Sequence, residues 1–240
     1  MWQANSGKHV AINRGVSSAN GYFFVVVDSD DWLSHSALER LLYHWETIPE
    51  ENKENFAGVV GLYADPSGKV IGTIFPHSPL DSDAVEIRTR YRVMGDNFGM
   101  NRTDILKQFP FPEDLGKFVT EALVWNRIAK RYKLRFVNEI VAYKQYQSTG
   151  LTASSLSIRA RSPRAARLYY QEYVSMDRRL PLGVILRNCA NYVRFSLHER
   201  IGWREQVSAI PSKLAWTAAF PIGTALYWRD RAALCREAQT

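Results

Sequence analysis

The stretch Tyr22–Leu33 reads YFFVVVDSDDWL and decides the predicted fold. Its six apolar residues, Tyr22–Val27, end abruptly in a run that contains three aspartates. An aromatic and β-branched run of this kind, bounded upstream by Asn20-Gly21, predicts a buried strand of a parallel sheet. Ligands of open α/β sheets bind beyond the carboxyl ends of the strands, which is where this sequence places its carboxylates. The stretch therefore predicts an α/β fold with a binding site after this strand.

The aspartates Asp28, Asp30 and Asp31 repel one another unless a cation or several hydrogen-bond donors hold them. The pattern Asp28-x-Asp30 at a strand end predicts a divalent-metal site, because hard carboxylate oxygens suit Mg²⁺ or Mn²⁺. A second interpretation stays open at this point, in which the aspartates only turn the chain and cap the next helix.

Two further segments carry a family resemblance. Asn5-x-Gly7-Lys8…Ala11-x-Asn13-x-Gly15 precedes the predicted strand, and Gly116–Ala129 contains an acidic helix start at Glu121. Together with Asp28-Ser29-Asp30-Asp31, these segments resemble the family 2 glycosyltransferases, which are inverting enzymes of the GT-A fold. The resemblance covers roughly residues 2 to 155. It implies a Rossmann-like mixed sheet flanked by helices, followed by a C-terminal α-helical extension.

The resemblance also implies which residues bind the donor, a nucleoside-diphosphate sugar that we expect to be a UDP-sugar. A metal held by Asp30 and Asp28 would neutralise the leaving diphosphate. In the alternative, Asp28 accepts hydrogen bonds from the ribose hydroxyls, with Asp31 orienting the turn. The residues implied in donor binding are Gly7, Lys8, Asn13, Asp28, Asp30 and Asp31.

Glu121 is the catalytic residue that the resemblance implies. It would take the proton of a hydroxyl group on a glycan or lipid-linked acceptor. The family has Glu-Asp where this chain has Thr120-Glu121. Without the resemblance, the sequence predicts Thr120 as a helix N-cap. Glu121 in the first turn would then only stabilise the helix through its dipole.

The segment around Gly7-Lys8 lies very close to the beginning of the chain. In the family pattern, a strand–helix–strand unit that holds the nucleotide base comes before this segment. We therefore expect a GT-A domain truncated at its N-terminus. The alternative function is that of a catalytically inactive fragment acting as a membrane-peripheral or partner-binding module.

Two other enzyme classes fit the motifs less well. Phosphatases of the haloacid-dehalogenase type have a small residue two positions after the second aspartate, where this chain has Trp32. The Gln-x-x-Arg-Trp motif of processive glycosyltransferases does not occur in the sequence. We therefore do not expect a polysaccharide synthase with its own translocation channel.

The composition of the chain limits the class of protein and the cell compartment to which it can belong. The chain has 240 residues, of which 46% are hydrophobic, as expected of a folded globular protein. Its two cysteines, Cys189 and Cys235, show no metal or disulfide spacing, and no signal peptide is recognisable, which favours the cytoplasm.

The positive charge of the chain is concentrated in its last ninety residues. Residues 1–150 carry 17 Lys+Arg against 18 Asp+Glu, whereas residues 151–240 carry 14 Lys+Arg against 6 Asp+Glu. An anionic membrane surface is a candidate partner, and no nucleic acid is expected because the arginines lack a recognition motif.

The last part of the chain is predicted to be helical. We expect a domain division at 1–155 and 156–240, with helices at Arg164–Met176 and Leu182–His198. The helical pattern around Tyr192–Ile201 alternates aromatic residues with arginines, as in basic amphipathic helices. Leu214–Trp228 is uncharged but too short and broken to span a bilayer. It predicts either a helix at the inner face of the cell membrane or one packed against protein, and both interpretations stay open.

Local signals predict four further elements. A capping box at Ser36 begins a helix over Ser34–Thr47. Its spacing predicts one buried stripe, formed by Leu38, Leu41, Leu42 and Trp45. A hairpin is predicted over Phe56–Phe75 around Asp65-Pro66-Ser67-Gly68, then a mobile loop over Pro76–Ile87. Gly95–Arg102 predicts a strand that leads into a short helix.

Overall fold

The computed structural model describes residues 2–145, 158–160, 162–176 and 180–237. The chain divides into two compact units, each assembled from separate segments. The sheet unit comprises residues 12–110 and 124–147, and the helical unit comprises residues 1–11, 111–123 and 148–240. The predicted functional division at 1–155 and 156–240 stays a prediction.

The sheet unit is built on one mixed sheet. Its described strands run in the order β1-β5-β3-β6-β2, with β4 also pairing with β6. The β3 and β6 strands are parallel, and the other pairs are antiparallel. This arrangement confirms the expected mixed α/β fold. The strands are β1 Phe23–Val25, β2 Asp31–Leu33, β3 Phe56–Ala64, β4 Leu80–Ser82, β5 Asn97–Arg102 and β6 Lys133–Lys144.

The prediction of a buried parallel strand at Tyr22–Val27 is wrong. Only Phe23–Val25 forms a strand; it pairs antiparallel with β5 and lies at one edge of the described sheet. Tyr22 remains 58% exposed. The buried centre of the sheet is instead β3, whose nine residues are all buried. An apolar run indicates burial but not pairing, and the Phe23 ring is covered from the side by Trp45, at 5.1 Å between centroids.

Helices flank this sheet or connect its strands. The helix over Ala37–Glu46 packs on the sheet through three buried residues spaced one turn apart. The helices up to residue 145 are α1 Lys8–Ser18, α2 Ala37–Glu46, α3 Glu86–Thr89, α4 Thr103–Gln108 and α5 Ala122–Ile128. The strand–helix sequence predicted from Gly95 onward is confirmed by β5 and α4.

The buried stripe of α2 differs from the predicted one. Leu41 and Trp45 are buried as expected, but Leu38 and Leu42 are 50% and 45% exposed. The third buried position is Ala37, so the contact face follows an i, i+4, i+8 line along the helix. The predicted capping box does not form, because the Ser36 side chain makes no capping hydrogen bond.

The predicted hairpin forms only its first strand and its turn. The Asp65 carboxylate accepts hydrogen bonds from the backbone N–H groups of Ser67 and Lys69, at 2.8 and 3.1 Å. Beyond the turn, a single bridge joins Ala64 to Val70 instead of a second strand. The reason is that both edges of β3 are already occupied, by β5 and by β6.

The predicted mobile loop over Pro76–Ile87 is also wrong. It contains β4 and the beginning of α3. The Arg135 guanidinium donates two hydrogen bonds of 2.7 Å to the Asp81 carboxylate and so fixes β4 to β6.

In the helical unit, the predicted helices at 164–176 and 182–198 are confirmed within a few residues. After residue 162, the helices of this unit are α6 Pro163–Val174, α7 Leu182–His198, α8 Trp203–Ser208 and α9 Lys213–Glu237. Tyr192 and Phe195 lie at the centre of their shared core. Gly223 of α9 approaches α7 so closely that a Cβ atom there would lie 2.6 Å from the Ala190 carbonyl oxygen.

The predicted basic face of α7 needs one correction. Arg194 is buried, and its Nη2 donates to the Asp230 carboxylate at 2.6 Å. His198 lies 3.1 Å from the same carboxylate. Arg194 therefore joins α7 to α9 inside the unit and contributes no exposed charge.

One side of the last helix confirms that Leu214–Trp228 packs in part against protein, and the membrane interpretation stays a prediction. Ala215, Trp216 and Ala219 are buried against the core, whereas Leu214 and Trp228 are 85% and 63% exposed. Among the described residues, no helix has the length and apolar character needed to cross a membrane.

Candidate active site

The acidic run forms a tight turn between β1 and β2. The Asp31 N–H donates to the Asp28 carbonyl at 3.0 Å, which closes a four-residue turn. Asp28 is partly buried and Asp30 is exposed. The run thus turns the chain, but it does not cap the next helix, because α2 begins only at Ala37.

Asp31 is tied to the central strand. The Tyr63 hydroxyl donates a hydrogen bond of 2.8 Å to its carboxylate. Burial raises the pKa of Asp31, while the Tyr63 hydrogen bond acts in the opposite direction. Burial and the neighbouring Asp31 carboxylate raise the pKa of Tyr63. The turn is therefore held at its C-terminal end by a neutral phenol at the end of β3.

A cation lies beside this tyrosine. The Lys144 ammonium is 4.7 Å from the centre of the Tyr63 ring and 3.0 Å from the Asp96 carboxylate. Lys144 is also the strand partner of Asp31. Sequence reasoning missed Tyr63 and Lys144, because only strand pairing brings them to the turn, and nothing in the local sequence signals that pairing.

The residues of the turn fit a metal that takes few protein ligands. In the described part of the chain, no three or more His, Cys, Asp or Glu side chains are placed to hold a metal ion. Asp28 and Asp30 nevertheless offer hard oxygen donors, while the Asp31 carboxylate is engaged by Tyr63. Mg²⁺ at nucleotide sites typically uses one or two carboxylates and completes its shell with water and phosphate oxygens. The turn suits that coordination and not an all-protein cage.

The helical unit brings together two other predicted site residues, Lys8 and Glu121. The Lys8 ammonium lies 2.7 Å from the Glu121 carboxylate, and both side chains are partly exposed. Glu121 immediately precedes α5, whose first residue is Ala122, so it does not belong to the first turn of the helix as predicted. The Leu123 N–H donates to the Thr120 carbonyl at 3.1 Å and begins the helix.

Gly7 occupies a position that requires glycine. Its φ is +101°, and a Cβ atom there would lie 2.4 Å from the Lys117 carbonyl oxygen. The Ala11 N–H donates to the Gly7 carbonyl at 3.3 Å, at the beginning of α1. The backbone around Gly7 thereby brings Lys8 to Glu121. Asn13 lies further along α1 and is partly buried.

His9 is a residue of this region that sequence reasoning did not single out. It is 2% exposed, and its Nε2 has no hydrogen-bond partner within the described residues. Burial lowers its pKa, and the negative charge of Glu113 opposes this shift. Burial therefore favours the neutral imidazole at His9, the residue that follows Lys8 in the chain.

Comparison with known families agrees with the resemblance seen in the sequence. Residues 2–71 match the family model described as glycosyl transferase family 2. The match includes the Gly7-Lys8 segment, the acidic turn and all of β3, but not Glu121. No curated protein sequence gives a significant match to the chain.

Proposed function

We propose that this chain, which belongs to the family 2 glycosyltransferases by its residues 2–71, is an inverting and metal-dependent sugar transferase. Its donor would be a nucleoside-diphosphate sugar, with UDP as the expected nucleotide, and its acceptor a hydroxyl group of a glycan or a lipid-linked sugar. The observation that carries the proposal is the acidic turn, which lies within the matched segment and is held in place by Tyr63.

The donor side of the reaction needs positive charge, since a diphosphate leaves. Mg²⁺ or Mn²⁺ bound at Asp28 and Asp30 would act as a Lewis acid toward that diphosphate. The residues of the chain supply the remaining contacts. Asp31 holds the turn through Tyr63, and the Lys8 ammonium would provide a cation for the phosphate oxygens. Gly7 lets the backbone pass close to the Lys117 carbonyl and so positions Lys8.

The acceptor side needs a base. In our proposal, Glu121 accepts the proton of the acceptor hydroxyl. At the same time, the oxygen of that hydroxyl forms a bond to the anomeric carbon. The bond between that carbon and the phosphate oxygen breaks, and its electron pair leaves with the diphosphate. One such displacement inverts the anomeric centre. The contact with Lys8 supports this role, because it holds the carboxylate in one orientation before the acceptor binds.

The experiment that tests this proposal measures UDP release from a panel of UDP-sugars with Mn²⁺ and candidate acceptors. Glu121→Gln should lower transfer by roughly 10²-fold or more, the typical contribution of a general base, while UDP still binds. Asp114→Asn is the matched control, because Asp114 is an exposed carboxylate of the same unit. Transfer by Glu121→Gln at the rate of the control variant would exclude Glu121 as the base.

We also propose that the enzyme associates peripherally with an anionic membrane, at the inner face of the cell membrane. The exposed face of α9 supports this, since it carries Leu214, Ile222 and Trp228 at 85%, 52% and 63% exposure. Lys213 and Arg229 flank this apolar face. A tryptophan and basic residues around an apolar face are typical of helices that lie in a membrane interface.

A further inference from the structure

A groove with one cationic side chain lies within the helical unit. Its empty volume is about 230 Å³, and it is partly open to solvent. Its walls are largely aromatic and aliphatic, with Ala165 and Ala166 at 2% and 6% exposure. The aromatic rings that line it belong to Phe118, Tyr169 and Tyr170. Most of this volume is open to solvent, and the enclosed part is about the size of one water molecule, so the groove takes one small group of a larger molecule.

Arg159 is the charged residue of the groove. Its Nε is buried and has no hydrogen-bond partner among the described residues. Its Nη1 donates a long hydrogen bond of 3.4 Å to the Tyr170 hydroxyl. A buried N–H group of a guanidinium without a partner is destabilising, and an anionic oxygen would satisfy it. The Arg159 Nε–H is therefore a candidate partner for an anionic oxygen that enters the groove from its open side.

The groove borders the chain neighbour of the proposed catalytic residue. Thr120 lines the groove, and Glu121 is the next residue of the chain. The Tyr170 ring stacks on Phe195 of the core, at 5.7 Å between centroids, so this wall is supported from behind.

We propose that this groove binds an anionic group of the acceptor, a phosphate or a carboxylate attached to an apolar or ring-shaped part. The inference rests on the proposed function, because it assigns the acceptor side to the region around Thr120. Arg159 pairs with the anion through Nε, and the rings of Phe118 and Tyr169 contact the adjoining apolar part. This makes Arg159 a residue that selects negatively charged acceptors.

Hexyl phosphate and hexanoate are the probes, and octyl glucoside is the neutral control ligand. The Nε–H resonance of Arg159, assigned by its loss in Arg159→Lys, should shift in a saturable manner with one or both anions and not with octyl glucoside. A response to hexyl phosphate alone identifies the anion as a phosphate, and a response to hexanoate alone identifies it as a carboxylate. In calorimetry, Arg159→Gln should weaken binding about tenfold or more, since a charge-assisted hydrogen bond is lost.

Arg164→Gln is the matched control, because Arg164 is exposed and pairs with Asp114. It should bind the anionic probes as the unmodified chain does. Unshifted Nε–H resonances with both anions, or equal affinity in Arg159→Gln and Arg164→Gln, would overturn the inference. Failure of the proposed function looks different, because anions would still bind in the groove while no UDP-sugar is consumed.

Discussion

The Lys8 ammonium and the Glu121 carboxylate lie 2.7 Å apart, although they come from distant parts of the chain. The resemblance assigns Lys8 to the donor and Glu121 to the acceptor, so this pair joins the two halves of the proposed reaction. An exposed ion pair of this kind stabilises a fold by only about 0–1 kcal/mol. Its significance in our account is therefore functional: a diphosphate that attracts Lys8 would leave Glu121 available to the acceptor.

Lys8→Met tests this assignment. We expect the free energy of unfolding to change by less than about 1 kcal/mol, because the pair is partly exposed. The affinity for UDP with Mn²⁺ should fall roughly tenfold, since a charge-assisted contact to phosphate is lost. Calorimetry measures the affinity, and Lys133→Met, a change at an exposed lysine, is the control. Unchanged UDP affinity in Lys8→Met would remove Lys8 from the donor site.

The buried pair Arg194–Asp230 should matter far more for stability. Both residues are almost completely buried, at 6% and 1% exposure. Asp230→Asn leaves the Arg194 charge uncompensated, and we expect a loss of about 3–5 kcal/mol in urea unfolding. Arg164→Met, which removes an exposed pair, should cost about 1 kcal/mol or less. Similar losses for the two variants would contradict the burial of the pair.

The lowered pKa of Glu139 predicts that the stability of the fold depends on pH. Hydrogen bonds from Arg40 and His44 lower the pKa of Glu139 from 4.5 to about 2, against the effect of burial. Because the folded-state pKa is the lower one, the stabilisation is complete above the unfolded value and disappears as the pH falls toward 2.

The measurement compares the unmodified chain with Glu139→Gln in urea at several pH values. The unmodified chain should be the more stable above pH 5, and this difference should shrink between about pH 4.5 and pH 2. Glu51→Gln, at an exposed glutamate, should show no such trend. A constant difference over this range would contradict the lowered pKa.

The membrane proposal is tested on the exposed face of α9. Leu214→Ser combined with Trp228→Ser leaves the buried residues of the helix in place, so the fold should persist. The unmodified chain should co-sediment with vesicles that contain anionic lipid at low salt, and less with neutral vesicles, because screening weakens the attraction. The double variant should lose most of this binding. Equal binding of both proteins, or no binding to anionic vesicles, would exclude α9 as the contact.

The predictable parts of the fold are those with local signals. The turn at Asp65-Pro66-Ser67-Gly68 and the helix that follows Ser162-Pro163 depend on residues that restrict the backbone directly. The edge position of β1 was not predictable, because it depends on which strands occupy the centre of the sheet. The exposure of Leu38 likewise depends on the orientation of α2 on the sheet, which its own spacing does not determine.

For the candidate site, the sequence indicated the acidic turn but not its support. Asp31 and Tyr63 are 32 positions apart, and their hydrogen bond depends on the pairing of β2 and β3 with β6. The Arg159 Nε, which has no hydrogen-bond partner in the part of the chain that the structure describes, depends on packing around a groove that has no local sequence signature. The contact between Lys8 and Glu121 joins two motifs that the resemblance had only assigned separately.

The most direct test of the central claim is thermal unfolding with Mn²⁺ and UDP, added alone and together. If the site shares its cation between two carboxylates and a diphosphate, Mn²⁺ and UDP added together should stabilise the fold more than either alone. A ligand at 100 times its Kd raises the free energy of unfolding by about 2.7 kcal/mol. Asp30→Ala should abolish the joint effect, whereas Glu51→Ala, at an exposed glutamate, should retain it. The account predicts a raised midpoint only in the unmodified chain and the control. An equal midpoint shift in Asp30→Ala, or none in the folded unmodified chain, would contradict it.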